Sequence, residues 1–93
     1  MILRDGDKLS VQGPITIANV VDVIEQGVNL FDRPDLIIDL AQVTEVDSSA
    51  VSMLLEWQRK AQKNKKRLYF SNIPESLKNL TQLYGVAELV PLK

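Results

Sequence analysis

Apolar residues change their period along the chain, and the changes mark out its elements. Ile2-Leu3-Arg4 and Leu9-Ser10-Val11 flank Asp5-Gly6-Asp7, where Asp and Gly suit the backbone angles of a tight turn, so the N-terminus reads as a β-hairpin. Beyond Gly13-Pro14, Ile17, Val20, Val21, Ile24 and Val28 recur at i, i+3, i+4, i+7 and i+11. That is a helical stripe, which Thr16 is placed to cap and Gly27 to end. Its β-branched content argues for a strand, but the spacing argues more strongly for a helix. Asp32-Arg33-Pro34-Asp35 is a polar turn. Leu36-Ile37-Ile38-Asp39-Leu40 is apolar at nearly every position, the pattern of a strand covered on both faces.

After a short loop, the next helix is expected from Ser49 to Asn64. Val51, Leu54 and Ala61 form its apolar stripe, Met53 and Trp57 lie at the edge of the stripe, and Glu56, Arg59 and Lys60 turn away. Arg67-Leu68-Tyr69-Phe70 reads as a further strand. A third helix has Pro74 in its first turn, Ile73, Leu77, Leu80 and Tyr84 along one face, and Gly85 at its end. Ala87-Glu88-Leu89-Val90 reads as a short last strand stopped by Pro91. The expected order is β-β-α-β-α-β-α-β: an α/β fold with a mixed β-sheet and three crossover helices, mainly on one face, in a single domain over residues 1–93.

Composition narrows the chemistry. With 93 residues, 45% hydrophobic and 25% charged, the chain has the make-up of one globular domain with one principal surface. A formal net charge of -1 offers no basic excess for a phosphate backbone, so nucleic acid is not an expected partner. Neither cysteine nor histidine is present, which removes thiolate nucleophiles, imidazole acid–base chemistry and the commonest transition-metal ligands. There is no glycine-rich phosphate loop, and no cofactor is expected. The start lacks the basic flank and apolar run of a signal peptide, and no segment approaches the roughly 20 apolar residues that span a bilayer. The expectation is a soluble cytoplasmic protein that does not insert in a membrane.

The segment from Asp39 to Val51 carries the candidate site. Asp47-Ser48-Ser49 opens a helix, and a hydroxyl there lies at the positive end of the helix dipole, among unpaired backbone N–H groups that would receive a phosphate well. Such a place suits a switch or a docking contact. The plainest role for Ser48 is that of an N-cap. Asp39 and Asp47 invite a reading as paired acid and base, but no nucleophile, metal ligand or further base accompanies them. Asp47 fits better as a contact that meets a basic group on a partner. Met53 and Trp57 either widen the core stripe or form a partner hot spot, where Trp is enriched. Lys60, Lys63, Lys65, Lys66 and Arg67 form one basic cluster. It is explained first by the negative end of the helix dipole, with attraction to anionic lipid or to an acidic partner as the second reading.

The element order, the length and the pattern Asp39-xxx-Val43-xx-Val46-Asp47-Ser48-Ser49-Ala50 resemble the STAS domain, named for sulfate transporters and anti-sigma factor antagonists. The resemblance covers essentially the whole chain and implies that fold and a non-catalytic role. Two stand-alone types concern this sequence. Anti-sigma factor antagonists are phosphorylated by a partner kinase on the hydroxyl residue after the motif Asp, which is Ser48 here. The MlaB-like type binds the ATPase subunit of the Mla phospholipid ABC transporter, which maintains outer-membrane lipid asymmetry in Gram-negative bacteria. It does so through the start and exposed face of the same helix. The leucine-rich stretch Val51–Trp57, Leu80–Val86 and Leu89-Val90-Pro91 are similar to the MlaB-like type. Ala50 stands where the family commonly has Gly, and its Cβ adds bulk beside Ser48 that would hinder a kinase.

The resemblance therefore implies a cytoplasmic subunit, held peripherally at an inner-membrane complex by an ABC transporter ATPase. Ser48 is its phosphorylation or contact residue, and Asp47, Ser49, Ser52, Met53, Glu56 and Trp57 are its partner contacts. The alternative is an anti-sigma factor antagonist whose partner is an anti-sigma factor kinase.

Overall fold

The computed structural model describes residues 1–93. Its N-terminal hairpin forms around Gly6, which holds φ +63°, and pairs β1 (Ile2–Asp5) with β2 (Lys8–Ile15) in antiparallel register. β2 lies parallel to β3 (Asp35–Val46), and β3 parallel to β4 (Arg67–Ser71), giving a four-stranded mixed sheet in the order β1-β2-β3-β4. Three helices, α1 (Val20–Val28), α2 (Ser49–Lys63) and α3 (Glu75–Leu83), complete the chain with a short 3₁₀ turn at Ala87–Leu89. Right-handed crossovers that step in one direction across a parallel sheet place their helices on one face. The pattern of burial agrees: Leu9, Ile38 and Phe70 form one buried row across the strands, and Leu36 and Leu68 form another.

The opposite face carries the row Ser10, Asp39 and Ser71 together with Lys8, Ile37 and Tyr69. Ile37 and Tyr69 are only half-buried, so the strand expected to be covered on both faces is fully covered on one. β3 also runs further than its apolar run suggested. Ala41–Val46, expected as a loop, continues the strand and pairs with Gln12–Ile15 through register shifts between Ser10 and Gln12 and between Gly13 and Ile15. Each bulge sets an extra β3 residue against β2 and breaks the alternation by which a strand is recognised.

α1 begins later than its stripe implied. The Thr16 carbonyl accepts from both Asn19 N–H (3.0 Å) and Val20 N–H (2.9 Å), and the Asn19 side chain braces this turn through Thr16 N–H (2.9 Å) and the Pro14 carbonyl (2.8 Å). Val20, Val23 and Gly27 face the core, while Ile17 and Val21 are 79% and 65% exposed. Gly27 does not end the helix. It faces Trp57, which is wholly buried, and a Cβ at Gly27 would lie 2.7 Å from the indole Nε1 and closer still to ring carbons. The indole N–H donates to the Ile24 carbonyl (3.1 Å), and Phe31 meets the ring edge-on at 5.9 Å. Trp57 is the seat of α1 on α2.

α3 ends as its sequence indicates. Gly85 takes φ +71°, and Val86 N–H reaches back to the Thr81 carbonyl (2.9 Å). The last expected strand is not formed at Ala87–Val90. Those residues make the 3₁₀ turn and bring Val90 into the core, and strand-like pairing is confined to one bridge between Phe70 and Leu92. Here Phe70 N–H donates to the Pro91 carbonyl (2.8 Å) and Lys93 N–H to the Phe70 carbonyl (2.9 Å). Pro91 has no N–H to extend a ladder.

Gly27→Ala tests the seating of the helices. Alanine favours a helix by up to about 1 kcal/mol, but overpacking a rigid ring costs about 1–3 kcal/mol. A net loss of stability in chemical denaturation is expected, and a stabilised variant would show that α1 does not lie this close to α2.

Candidate functional site

The site is built where β3 gives way to α2. Ser48 already has helical backbone angles, φ -63° and ψ -20°, and its hydroxyl makes no capping hydrogen bond. The carboxylate of Asp47 caps the helix instead. Its Oδ1 accepts from Ser49 N–H (2.9 Å) and from the Ser49 hydroxyl, and its Oδ2 accepts from Ile17 N–H (2.9 Å). These bonds, the Ser49 hydroxyl foremost and the Ile17 amide next, hold the Asp47 carboxyl below the usual carboxylate range. They also tie the loop before α1 to the start of α2.

The remaining first-turn amides are occupied. Ala50 N–H donates to the Asp47 carbonyl (3.0 Å) and Val51 N–H to the Ser48 carbonyl (3.1 Å). Of the expected ring of unpaired N–H groups around Ser48, those of Ser49, Ala50 and Val51 are therefore taken up by local bonds, and the amide of Ser48 itself stays open. Ala50 is fully buried, so its Cβ packs in the core and does not obstruct the Ser48 hydroxyl.

Ser48 and Ser52 are exposed, one helical turn apart, and line two adjoining clefts. The cleft on one side, about 400 Å³, is closed by Ile17, Asp47 and Ser49. The other, about 310 Å³, is lined by Val51, Leu55, Tyr84 and Val86. Ile17 at 79% and Tyr84 at 54% exposure stand as apolar shoulders on either side of the serines. The arrangement presents small polar groups between large apolar ones, a surface shaped for contact.

Of the residues expected to meet a partner, Asp47, Ser48, Ser49 and Ser52 come together here. Ser49 and Asp47 are committed to each other, which leaves Ser48 and Ser52 as the free hydroxyls. Glu56 is half-buried further along α2 and pairs with Arg59 one turn on. Met53 and Trp57 are a correction: both are wholly buried, because the α2 stripe is centred on them and packs against the sheet and α1. Neither is available as a surface contact. Tyr84, placed by its spacing on the apolar face of α3, is turned out instead and joins the site.

Ile17 and Tyr84 are the residues that sequence reasoning missed. Asn19 was the available signal for Ile17, since a helix capped there begins at Val20 and excludes Ile17 from its buried face.

Asp39 does not join Asp47. It lies on the open face of the sheet, where burial favours its neutral form, but the Asn72 amide (3.0 Å), Ala41 N–H (2.9 Å) and Lys8 ammonium (3.0 Å) outweigh this and hold its carboxyl below the usual range. The two aspartates share no partner and form no acid–base pair. The basic residues Lys60 and Lys63 occupy the last turn of α2, at the end remote from Ser48.

A mixed sheet with helices on one face, and an Asp-Ser-Ser start to the central helix, define a STAS domain. The chain belongs to that family: the family model described as "Mlab, STAS domain" matches residues 2–91. A chain of the Acinetobacter MlaFEDB complex in its ATP-bound Vtrans2 conformation is 26% identical, with a TM-score of 0.81, and the match covers 95% of this chain and 95% of that one. The anti-sigma factor antagonist SpoIIAA in its unphosphorylated form matches 100% of this chain and 86% of its own at a TM-score of 0.75 and 13% identity. A sulfate transporter family protein from Wolinella succinogenes matches 90% of this chain and 70% of its own at a TM-score of 0.71 and 19% identity. The last two likenesses are of fold. Among curated protein sequences none matches the chain.

The Asp47 latch has a pH signature. A carboxyl with a depressed folded pKa contributes stability fully above its unfolded value and loses it as the pH falls through the folded one. Asp47→Ala should therefore lower Tm at neutral pH, and the gap to the parent should narrow below about pH 4. A gap of constant size down to strongly acid pH would show that the carboxylate bonds contribute nothing.

Proposed function

We propose that this chain is a non-catalytic STAS subunit that docks on the ATPase of an ABC-type phospholipid transporter of the kind that maintains outer-membrane lipid asymmetry. The observation that carries the reading is the exposed pair Ser48 and Ser52 between the apolar shoulders Ile17 and Tyr84. Likeness to a chain of the MlaFEDB complex across nearly the full length of both supports the choice of partner. In this reading the ATPase packs onto the start of α2 and the loop before α1. Binding to the assembled ATPase alone stabilises that assembly by mass action, and no bond is made or broken on this chain. The subunit would work on the cytoplasmic side, held at an inner-membrane complex through its partner. No helix of the chain is long and apolar enough to cross a membrane.

A second reading, an anti-sigma factor antagonist switched by phosphorylation, is favoured by one observation: the Ser48 hydroxyl is exposed and carries no capping bond. The amides of Ser49, Ala50 and Val51 are engaged, and the Asp47 carboxylate sits beside it, so a phosphate on Ser48 would add like charge next to Asp47 and find few local donors. Phosphorylation would act by repulsion.

The test is purification of the tagged chain from its own cells, with intact mass measured on the bait. An ABC ATPase should co-purify with unmodified bait, and Ile17→Asp or Ser48→Glu should reduce its recovery by about tenfold or more, the loss typical of a hot-spot contact. Recovery of a protein kinase, with bait heavier by one phosphate that Ser48→Ala removes, would overturn the transporter reading in favour of the second.

A further inference from the structure

Beyond the two clefts at Ser48, a further one lies along the outside of the α1–α2 pair, one turn on from Ser52. On the α2 side Ser48, Ser52, Glu56 and Lys60 succeed one another at one-turn spacing, so this wall runs for about 18 Å. This third cleft, of about 320 Å³, lies between Ile24, Glu25, Val28 and Asn29 of the α1 side and the α2 residues Glu56 and Lys60. Ile17 and Val21 extend the same apolar row to the Ser48 end. The groove thus has an apolar wall with helical spacing, a wall that starts in small serines, and enough length for three turns of a helix.

Its charge is one-sided. Asp22 and Glu25 are exposed on α1, and Asp47 and Glu56 lie on the side of α2. Between Lys8 and Arg59 the only basic residue of the chain is Arg33, and it is paired with Asp7. Lys60 is the one basic side chain that lines the groove, at its far end, while Arg59 is held by Glu56. The remaining lysines of the cluster that follows, Lys63, Lys65 and Lys66, belong to the end of α2 and the turn beyond it. The molecule is therefore acidic along the groove and basic at the opposite pole, although its formal net charge is only -1.

We infer that the α1–α2 groove receives an amphipathic helix of the partner that carries lysine or arginine beside its apolar stripe. This rests on the docking reading above and specifies the chemistry of the docking element. Apolar residues of that helix cover Ile17 and Val21, and its basic residues meet Asp22, Glu25 and Asp47. Complementary charge of this kind acts mainly on encounter rate and on selection among partners. Lys60, the one basic side chain of the groove, stands at its far end, three turns of α2 from Ser48, so negative charge added at the Ser48 end would find its counter-charge on the incoming helix.

The test measures affinity of the full chain for its purified partner ATPase from about 0.05 M to about 0.5 M NaCl, a range that screens exposed charge strongly. The parent should weaken by about tenfold or more across that range. Asp22→Lys combined with Glu25→Lys should weaken low-salt binding and abolish its salt dependence, whereas Lys63→Glu combined with Lys66→Glu, at the other pole, should bind as the parent does. All four positions lie on the surface or at its edge, and circular dichroism checks that each variant is folded. Binding that is tight but indifferent to salt and to the α1 reversals overturns the basic helix while the docking reading stands. Failure of the parent to bind the ATPase at any salt overturns both.

Discussion

The fit of Trp57 into the space left by Gly27 sets the distance between α1 and α2, and the site depends on that distance. With a side chain at Gly27 the indole cannot lie where it does, its bond to the Ile24 carbonyl is lost, and α1 must ride away from α2. The loop that precedes α1 would move with it. That loop contributes Ile17, whose backbone N–H is held by Asp47 at the start of α2. A single close approach in the core therefore determines how an exposed residue of one helix stands beside the first turn of another.

Asp47 converts this packing into a surface. Its carboxylate takes the Ser49 hydroxyl, the Ser49 amide and the Ile17 amide, and in doing so performs the capping role that a serine would otherwise fill. Ser48 is released from capping and turned outward, next to Ser52, with Ile17 and Tyr84 rising on either side. Small hydroxyls at the centre let a partner backbone approach closely, and the apolar shoulders supply area to bury. The open face of the sheet has a different character, with Asp39 tied to Lys8 and Asn72 and with Lys93 stacked over Tyr69 at 5.0 Å. There the polar groups satisfy one another within the chain.

Much of this was legible in the sequence, and the parts that were not have physical causes. The hairpin at Gly6, the strand from Leu36 to Leu40, the helix from Ser49 and the end of α3 at Gly85 all carry short-range signals that the fold obeys. The bulges of β3 do not, because an inserted residue erases the two-residue period over Ala41–Val46. The start of α1 lies at Asn19 and not at Thr16, the expected cap, so the stripe that began at Ile17 included two residues, Ile17 and Val21, that the helix leaves exposed. Trp57 was ambiguous because an aromatic residue at the edge of an apolar stripe suits either a core or an interface. Only the missing side chain at Gly27, thirty positions away in the chain, makes the core its place. Leu92 pairs with Phe70 where a strand was expected at Ala87–Val90, since the turn after Gly85 delays the chain's return to the sheet.

The central claim is that the first turn of α2, and not the open sheet face or the basic pole, meets the partner. A photoreactive amino acid placed singly at Ser52 and, in a parallel preparation, at Lys63 tests it most directly, because both positions are exposed on the same helix. The account predicts that the Ser52 probe cross-links to the ABC ATPase in cells and the Lys63 probe does not. Capture of the ATPase from Lys63 with none from Ser52 would contradict it.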